Sequence, residues 1–231
     1  MPLSPNRIAP GTPPMNAPVH PLLWAMVGSW ALIYAVGLLA ERGVLPGMLA
    51  PWVLWTAFAF FDVKLDQALA GQGIDLQLVW STVTHAFLHG SWLHLGLNGA
   101  AFLGLGHALT RDAGIWPVMA IFALTAAAGA LTFGLVTETQ VPLIGASGAV
   151  FGFLGTLTAW QERWLAERGA PRDPIWARVA GVIAINLLMG FGLGGLAIAW
   201  EAHLGGFAAG WILAYLFPPA LRARRVRERW R

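Results

Sequence analysis

The amino-acid sequence predicts an all-α, polytopic membrane protein with six transmembrane helices. The first observation is its composition. Of 231 residues, 57% are hydrophobic, 11% are charged and 13 are tryptophans, as is typical of membrane chains rather than soluble domains. The second observation is that long apolar runs alternate with segments that hold most of the charge. The third is the distribution of basic residues, because six spans would place nearly all of them on one side of the membrane.

Six apolar segments carry the prediction of membrane spans. Residues 21–40 contain no charged side chain and have the length that a helix needs to cross a bilayer. The other five predicted spans are residues 93–109, residues 115–136, residues 147–160, a segment that begins near Val179 and runs into the glycines at 190, 192, 194 and 195, and a segment from Glu201 or His203 to Phe217.

The long connection over residues 41–84 contains an apolar stretch, residues 44–61, that resembles a seventh span. Pro46 and Pro51 interrupt this stretch, and Asp62 and Lys64 follow it directly. Because prolines break a spanning helix and Trp and Phe are enriched at membrane interfaces, we predict an interfacial or re-entrant segment.

The basic residues predict the orientation of the chain. With six spans the two termini share one side, and twelve of the 14 Lys and Arg residues lie there; the exceptions are Arg42 and Lys64. The positive-inside rule therefore predicts a multi-pass protein of the cell membrane, plasma or inner, with both termini in the cytoplasm.

Three regions follow from this division. We predict a disordered, proline-rich cytoplasmic segment over residues 1–20, a six-helix domain over residues 21–218 and a basic cytoplasmic tail over residues 219–231. The arginines of the tail suit an anionic membrane surface better than nucleic acid, so the expected partner is the lipid bilayer and no nucleic acid. The chain has no cysteine, which excludes disulfides and a cysteine nucleophile.

Ser147 stands among small residues at the start of the fourth predicted span, in Gly145-Ala146-Ser147-Gly148. The first backbone N–H groups of a helix have no intrahelical partner, so they can stabilise an oxyanion beside the serine. The alternative is that these small residues serve close helix packing alone.

Histidine and asparagine side chains supply the other groups that hydrolysis needs. His94 and Asn98 are four residues apart and share one helical face, and His203 begins the sixth span. A histidine can accept the serine proton, and the other donors can hold an oxyanion. The alternatives are an interfacial anchor for a histidine and helix–helix contact for Asn98.

Glycines predict which helices meet. Gly148 and Gly152 in the fourth span, and Gly206 and Gly210 in the sixth, have the same spacing, which allows two helices to approach closely. Phe151 follows Ser147 by four residues, so we expect its ring on the face of the nucleophile and beside His203.

A metal site is the competing interpretation of the remaining histidines. His85 and His89 are four residues apart, but no HExxH motif and no third ligand accompany them. We therefore expect neither a metal nor another cofactor.

Taken together, these motifs resemble the rhomboid family of intramembrane serine proteases. Residues 87–94, Phe-Leu-His-Gly-Ser-Trp-Leu-His, followed by Asn98, are similar to the family's second-helix pattern. Gly145-Ala146-Ser147-Gly148 is similar to its GxSG motif, and Ala202-His203 with Gly206 and Gly210 to AHxxGxxxG. The resemblance covers roughly residues 20–218.

The resemblance implies an all-α rhomboid-like bundle that cleaves transmembrane segments of other membrane proteins near the non-cytoplasmic face. It implies Ser147 as nucleophile and His203 as general base, acting as a dyad without a third acid. It also implies His94 and Asn98 as oxyanion donors beside the Ser147 N–H, and His89 as a structural histidine. The segment 190–195 would belong to a cap over the site.

Two positions depart from the family pattern. The family often has Trp-Arg where this chain has Trp80-Ser81. The arginine is therefore missing, and the resemblance does not imply the same polar anchoring of the first connection. A tyrosine usually occupies the position of Phe151. Two other functions stay open: an inactive rhomboid relative that binds membrane clients without cutting them, and a small transporter or scaffold.

Overall fold

The computed structural model describes residues 17–139, 141–191 and 199–219. The predicted disordered segment, the basic tail and the glycine-rich cap therefore lie largely outside the described residues. Of the first segment only residues 17–20 are described, and there the His20 side chain accepts a hydrogen bond from the Leu22 N–H and caps the first helix.

The described residues form nine α-helices and no β-strand, which confirms the all-α prediction. The helices are α1 (Pro21–Glu41), α2 (Pro51–Phe58), α3 (Asp62–Leu69), α4 (Leu76–Thr84), α5 (Trp92–Ala113), α6 (Ile115–Val136), α7 (Ser147–Ala166), α8 (Asp173–Phe191) and α9 (Trp200–Leu216). Two short 3₁₀ turns, Gly47–Leu49 and His85–Phe87, join some of them.

The six long helices, α1 and α5 to α9, coincide with the six predicted spans. The structure differs at their ends, because α5, α7 and α8 continue into charged residues that the prediction placed outside. In α7 this extension is anchored, since Arg163 donates to the Ala214 carbonyl at 3.3 Å. By length and hydropathy alone, α1 and α6 qualify as membrane spans among the described residues.

The connection between α1 and α5 folds into the short helices α2, α3 and α4. With eight residues, α2 is about 12 Å long, whereas the hydrocarbon core of a bilayer is about 30 Å thick. Residues 44–61 therefore do not form a seventh span, in agreement with the prediction from sequence. Asp62 ties the connection to the body of the protein, because its carboxylate accepts from the Thr139 N–H at 2.7 Å.

Glycine contacts bring α7 and α9 together. A Cβ atom on Gly206 would overlap the Gly148 carbonyl, and one on Gly210 would overlap the Gly152 carbonyl. Such contact distances are open only to glycine, and they allow strong van der Waals packing in lipid. The predicted pairing of the two glycine faces is what the structure shows.

The partners along this interface also establish the helix direction. Thr156 Oγ1 donates to the Gly210 carbonyl at 2.9 Å, and Trp160 Nε1 donates to the Ala214 carbonyl at 3.2 Å. Because residue numbers rise together along both helices, α7 and α9 run parallel. Their N-terminal ends, which hold Ser147 and His203, consequently lie at the same end of the bundle.

A third helix, α5, runs in the same direction, because its His94 lies beside Gly145 and its Gly106, farther along, lies beside Phe153. Its Phe102 stacks on Phe153 of α7, with ring centroids 5.5 Å apart. Trp30 of α1 completes this aromatic core, 5.0 Å from the Phe102 ring. Since α5, α7 and α9 all begin at one end of the bundle, their N-terminal residues converge there.

Candidate active site

The backbone that leads into α7 is held by the connection between α1 and α5. Phe60 and Leu143 exchange two backbone hydrogen bonds, at 2.8 and 3.2 Å. The Gly145 N–H then donates to the His85 carbonyl at 2.9 Å. These three bonds orient the residues directly before Ser147.

Gly145 is required by both its conformation and its neighbours. Its φ of 107° lies in the region that favours glycine. A methyl group there would lie 2.6 Å from the His94 ring and 3.8 Å from Asn98 Nδ2. The close approach therefore places both side chains of the predicted oxyanion pair against the backbone two residues before Ser147.

Asn98 is buried and uses part of its amide within its own helix. Its Nδ2 donates to the His94 carbonyl at 3.1 Å, which fixes the direction of the amide and leaves a second N–H. The His94 ring is half-buried and lies edge-on to His89, with ring centroids 5.1 Å apart.

Ser147 is the first residue of α7, and no side chain caps that helix. The first helical hydrogen bond runs from the Val150 N–H to the Ala146 carbonyl, so the N–H groups before Val150 precede the helical ladder. Uncapped N–H groups at a helix start favour negative charge, which is the requirement of an oxyanion.

Ser147 and His203 are in hydrogen-bonding contact. His203 Nε2 lies 2.8 Å from Ser147 Oγ, with the histidine buried and the serine half-buried. Glycines make this approach possible, because the Ala202 carbonyl lies 3.3 Å from where a Gly148 Cβ would be. A nucleophile and a base within reach of each other can perform acyl transfer.

The Phe151 ring lies flat against one face of the His203 imidazole. The two rings are stacked, with centroids 4.3 Å apart and an interplanar angle of 12°. The ring therefore restricts the rotation of His203 from the α7 side.

A comparison with known protein families identifies the chain. The family model of the Rhomboid domain matches residues 77–220, a region that runs from α4 through α9 and includes every residue of this site.

The chain belongs to the rhomboid family.

Individual relatives agree with this assignment. RHOMBOID-like protein 5 of Arabidopsis thaliana is 28% identical over 139 residues, which cover 59% of this chain and 43% of that protein. The rhomboid protease GluP of Bacillus subtilis is 30% identical over 135 residues, 58% of this chain and 25% of GluP. An uncharacterized protein of Mycobacterium tuberculosis is 28% identical over 188 residues, 72% of this chain and 74% of that protein.

Membership in the rhomboid family establishes the general activity. The chain is an intramembrane serine protease, a hydrolase that acts on membrane proteins within the bilayer. The six long helices are accordingly those of a rhomboid bundle in a membrane.

One side chain of this rhomboid site was missed by the sequence analysis. Asn186 of α8 is fully buried, and its Oδ1 lies 2.9 Å from His203 Nδ1. The available signal was a single amide in the apolar run Val182–Leu188, a costly placement that usually marks function. Asn186 belongs to none of the motifs that mark the other site residues, so the sequence pattern did not indicate it.

His89 and His85 lie beside the rhomboid site but do not enter it. His89 is buried against Trp30, with ring centroids 5.3 Å apart, and neither ring nitrogen has a well-formed hydrogen bond, although the Phe87 backbone is near. His85 Nδ1 contacts the Ser81 carbonyl at 2.9 Å, and burial lowers the pKa of His85 to about 4. No group of three metal-ligating side chains occurs within the described residues.

The departure at Ser81 does not remove the polar anchoring of the first connection. The anchors are side chains of α4 that donate to the carbonyls at the C-terminal end of α2, including that of the capping residue Ala59. They are Trp80 to Ala57 at 2.9 Å, Thr84 to Phe58 at 2.8 Å and Gln77 to Ala59 at 2.7 Å. These carbonyls have no partner within α2, so the contacts satisfy its C-terminal end. Ser81 itself donates to the Leu78 carbonyl within α4.

Proposed function

We propose that this rhomboid cleaves transmembrane segments of other proteins with Ser147 as nucleophile and His203 as general base. Ser147 Oγ attacks the carbonyl carbon of the scissile peptide bond while His203 Nε2 accepts its proton. His203 then donates that proton to the leaving amine as the C–N bond breaks. In the second half, His203 activates a water molecule that hydrolyses the ester on Ser147.

The oxyanion of each tetrahedral intermediate is assigned to the Ser147 N–H, the His94 ring and the Asn98 amide. Two features support this assignment: both side chains lie close to Gly145, two residues before Ser147, and no side chain caps the start of α7. Hydrogen-bond donors that are already in place need not reorganise when negative charge develops on the substrate oxygen. They therefore stabilise the transition state more than mobile water molecules do.

The observation that carries the proposal is the 2.8 Å contact between Ser147 Oγ and His203 Nε2. An inactive rhomboid relative has no need for a nucleophile and base in contact at a buried glycine interface. Family membership sets aside the transporter and scaffold alternatives.

We further propose that both termini are cytoplasmic and that cleavage occurs near the opposite face. The described basic residues Arg111, Arg163, Arg168 and Arg178 lie toward the C-terminal ends of α5 and α7 or the start of α8, away from Ser147. A reporter enzyme fused to the C-terminus should be active only in the cytoplasmic compartment. Activity of the reporter on the far side would overturn this orientation.

Cleavage in proteoliposomes tests the proposed function directly. The purified protein should cut a reconstituted single-span substrate at one peptide bond in the membrane half farther from the arginines, as mapped by mass spectrometry of the products. The rate should be the same with and without EDTA, because the mechanism uses no metal. Loss of activity in EDTA with recovery in zinc would revive the metal interpretation of His85 and His89.

The stacked ring of Phe151 gives a separate prediction. An aromatic face against the imidazole orients His203 and stabilises its cationic form during acylation. Phe151→Tyr should therefore keep most of the cleavage rate, whereas Phe151→Leu and Phe151→Ala should lose about tenfold, from a stacking term on the order of 1 kcal/mol or more. Initial rates with thermal stability as a control decide this, and a fully active Phe151→Leu protein would show that the ring only fills space.

A further inference from the structure

The hydrogen bond between His203 and Asn186 has a direction that its surroundings determine. The Asn186 amide has one side toward the Val182 carbonyl, with Nδ2 at 2.7 Å, and the other toward His203 Nδ1, with Oδ1 at 2.9 Å. A carbonyl oxygen only accepts hydrogen bonds, so the atom that faces Val182 must be the NH₂ group. The oxygen consequently faces His203.

This orientation selects one tautomer of the imidazole. Since Asn186 Oδ1 only accepts, His203 Nδ1 must carry the proton and donate it. A neutral imidazole protonated on Nδ1 has its lone pair on Nε2, the atom 2.8 Å from Ser147 Oγ. That lone pair is what a general base requires, whereas the opposite tautomer would direct an N–H at the serine.

We propose that Asn186 is a positioning residue that completes a hydrogen-bonded chain from Ser147 through His203 to Asn186, an inference that rests on the proposed role of the Ser147–His203 pair. Asn186 holds His203 in the base-competent tautomer before the substrate arrives. It also accepts the Nδ1–H bond of the imidazolium after proton transfer. A third group that orients the base is the general logic of such sites, and asparagine fills that place in some cysteine proteases.

The position of Asn186 on α8 supports a specific role. The inward face of α8 is formed by Ile175, Val182 and Asn186, which are all buried. The exposed side chains near Asn186 are apolar, as at Ile183 and Leu188. An amide inside a membrane helix is costly to bury. A purely structural α8 would place an aliphatic side chain at this point.

Two substitutions of similar size separate positioning from packing. Asn186→Leu fills the space but has no acceptor, so kcat should fall about 10- to 100-fold, as expected when a buried hydrogen-bond partner is removed. KM should change less than twofold, because Asn186 lies behind His203. Asn186→Asp keeps an oxygen toward Nδ1, and as the neutral acid its O–H can donate to the Val182 carbonyl in place of the NH₂ group, so kcat should stay within about fivefold of the wild type. Labelling of Ser147 by a fluorophosphonate should slow in parallel with kcat.

The controls keep this inference separate from the proposed function. Ile175→Val, on the same buried face of α8, should lower thermal stability but leave kcat unchanged. Wild type must cleave and Ser147→Ala must not; failure of that pair overturns the proposed function itself. If that pair behaves as expected and Asn186→Leu retains the wild-type kcat, the positioning role is wrong. Equal losses in Asn186→Leu and Asn186→Asp would also refute it, in favour of packing.

A measurement on the wild-type protein avoids the risk that a variant fails to fold. Imidazole ¹⁵N NMR, with the His203 signals assigned by their loss in His203→Ala, reports which ring nitrogen carries the proton. We expect a protonated Nδ1 and an unprotonated Nε2 at neutral pH. A proton on Nε2 in the neutral ring would overturn the inference.

Discussion

Replacing Ser147 with alanine is expected to lower the rate of peptide-bond cleavage by on the order of 10⁴-fold or more, and His203→Ala should do the same. Each change removes one member of the proposed nucleophile–base pair, in which Ser147 Oγ and His203 Nε2 are 2.8 Å apart. The double variant should be no slower than either single variant. When two residues act as a unit, removing one already abolishes the contribution of both. Initial rates on a reconstituted substrate measure all three.

Matched controls for these variants come from the same chain. Ser29 donates only to the Met26 carbonyl within α1, so Ser29→Ala should retain the wild-type rate. His107 lies toward the far end of α5, and His107→Ala should likewise remain active. Substantial cleavage by Ser147→Ala in a folded preparation would end the assignment of Ser147 as nucleophile.

Loss of either proposed oxyanion side chain is the second large expected effect. His94→Phe and Asn98→Leu should each lower kcat by roughly 10²–10³-fold, with little change in KM, because these donors act on charge that exists only in the transition state. Phenylalanine is chosen at position 94 because its ring keeps the contact with Gly145 and removes only the donor.

Leu97 provides the comparison for this second prediction. It neighbours Asn98 on α5 but is 65% exposed, so Leu97→Ala should leave kcat unchanged. If His94→Phe and Asn98→Leu both retain kcat within about threefold of the wild type, the two side chains serve helix packing alone and the oxyanion is held by backbone N–H groups.

The spans were predictable from sequence because apolar runs and glycine spacing are local signals. The α7–α9 interface could be predicted from the sequence by the matching spacing of Gly148 and Gly152 with Gly206 and Gly210. The helix ends were less predictable, since a charged residue such as Arg163 does not stop a helix when a carbonyl of a neighbouring helix accepts its hydrogen bond.

The arrangement of the proposed site was predictable for side chains that belong to a motif. It was not predictable where the partner of a side chain is a backbone atom or a lone amide. Ser147 and His203 lie in such motifs, and Phe151 follows from helical spacing. The Phe60–Leu143 bridge and the hydrogen bonds to carbonyls at the end of α2 are made by backbone atoms. Every residue has these atoms, so no sequence pattern distinguishes them. The position of Asn186 could not be predicted from sequence, because its contact with His203 depends on how α8 packs in three dimensions.

Mass spectrometry of the protein after reaction with a fluorophosphonate shows whether Ser147 is a nucleophile activated by His203. The reagent forms a covalent adduct only with a serine that an adjacent base activates. We expect a single adduct on Ser147, strongly reduced in His203→Ala and unchanged in His107→Ala. An adduct on another serine, or equal labelling of Ser147 without His203, would contradict the proposed pair.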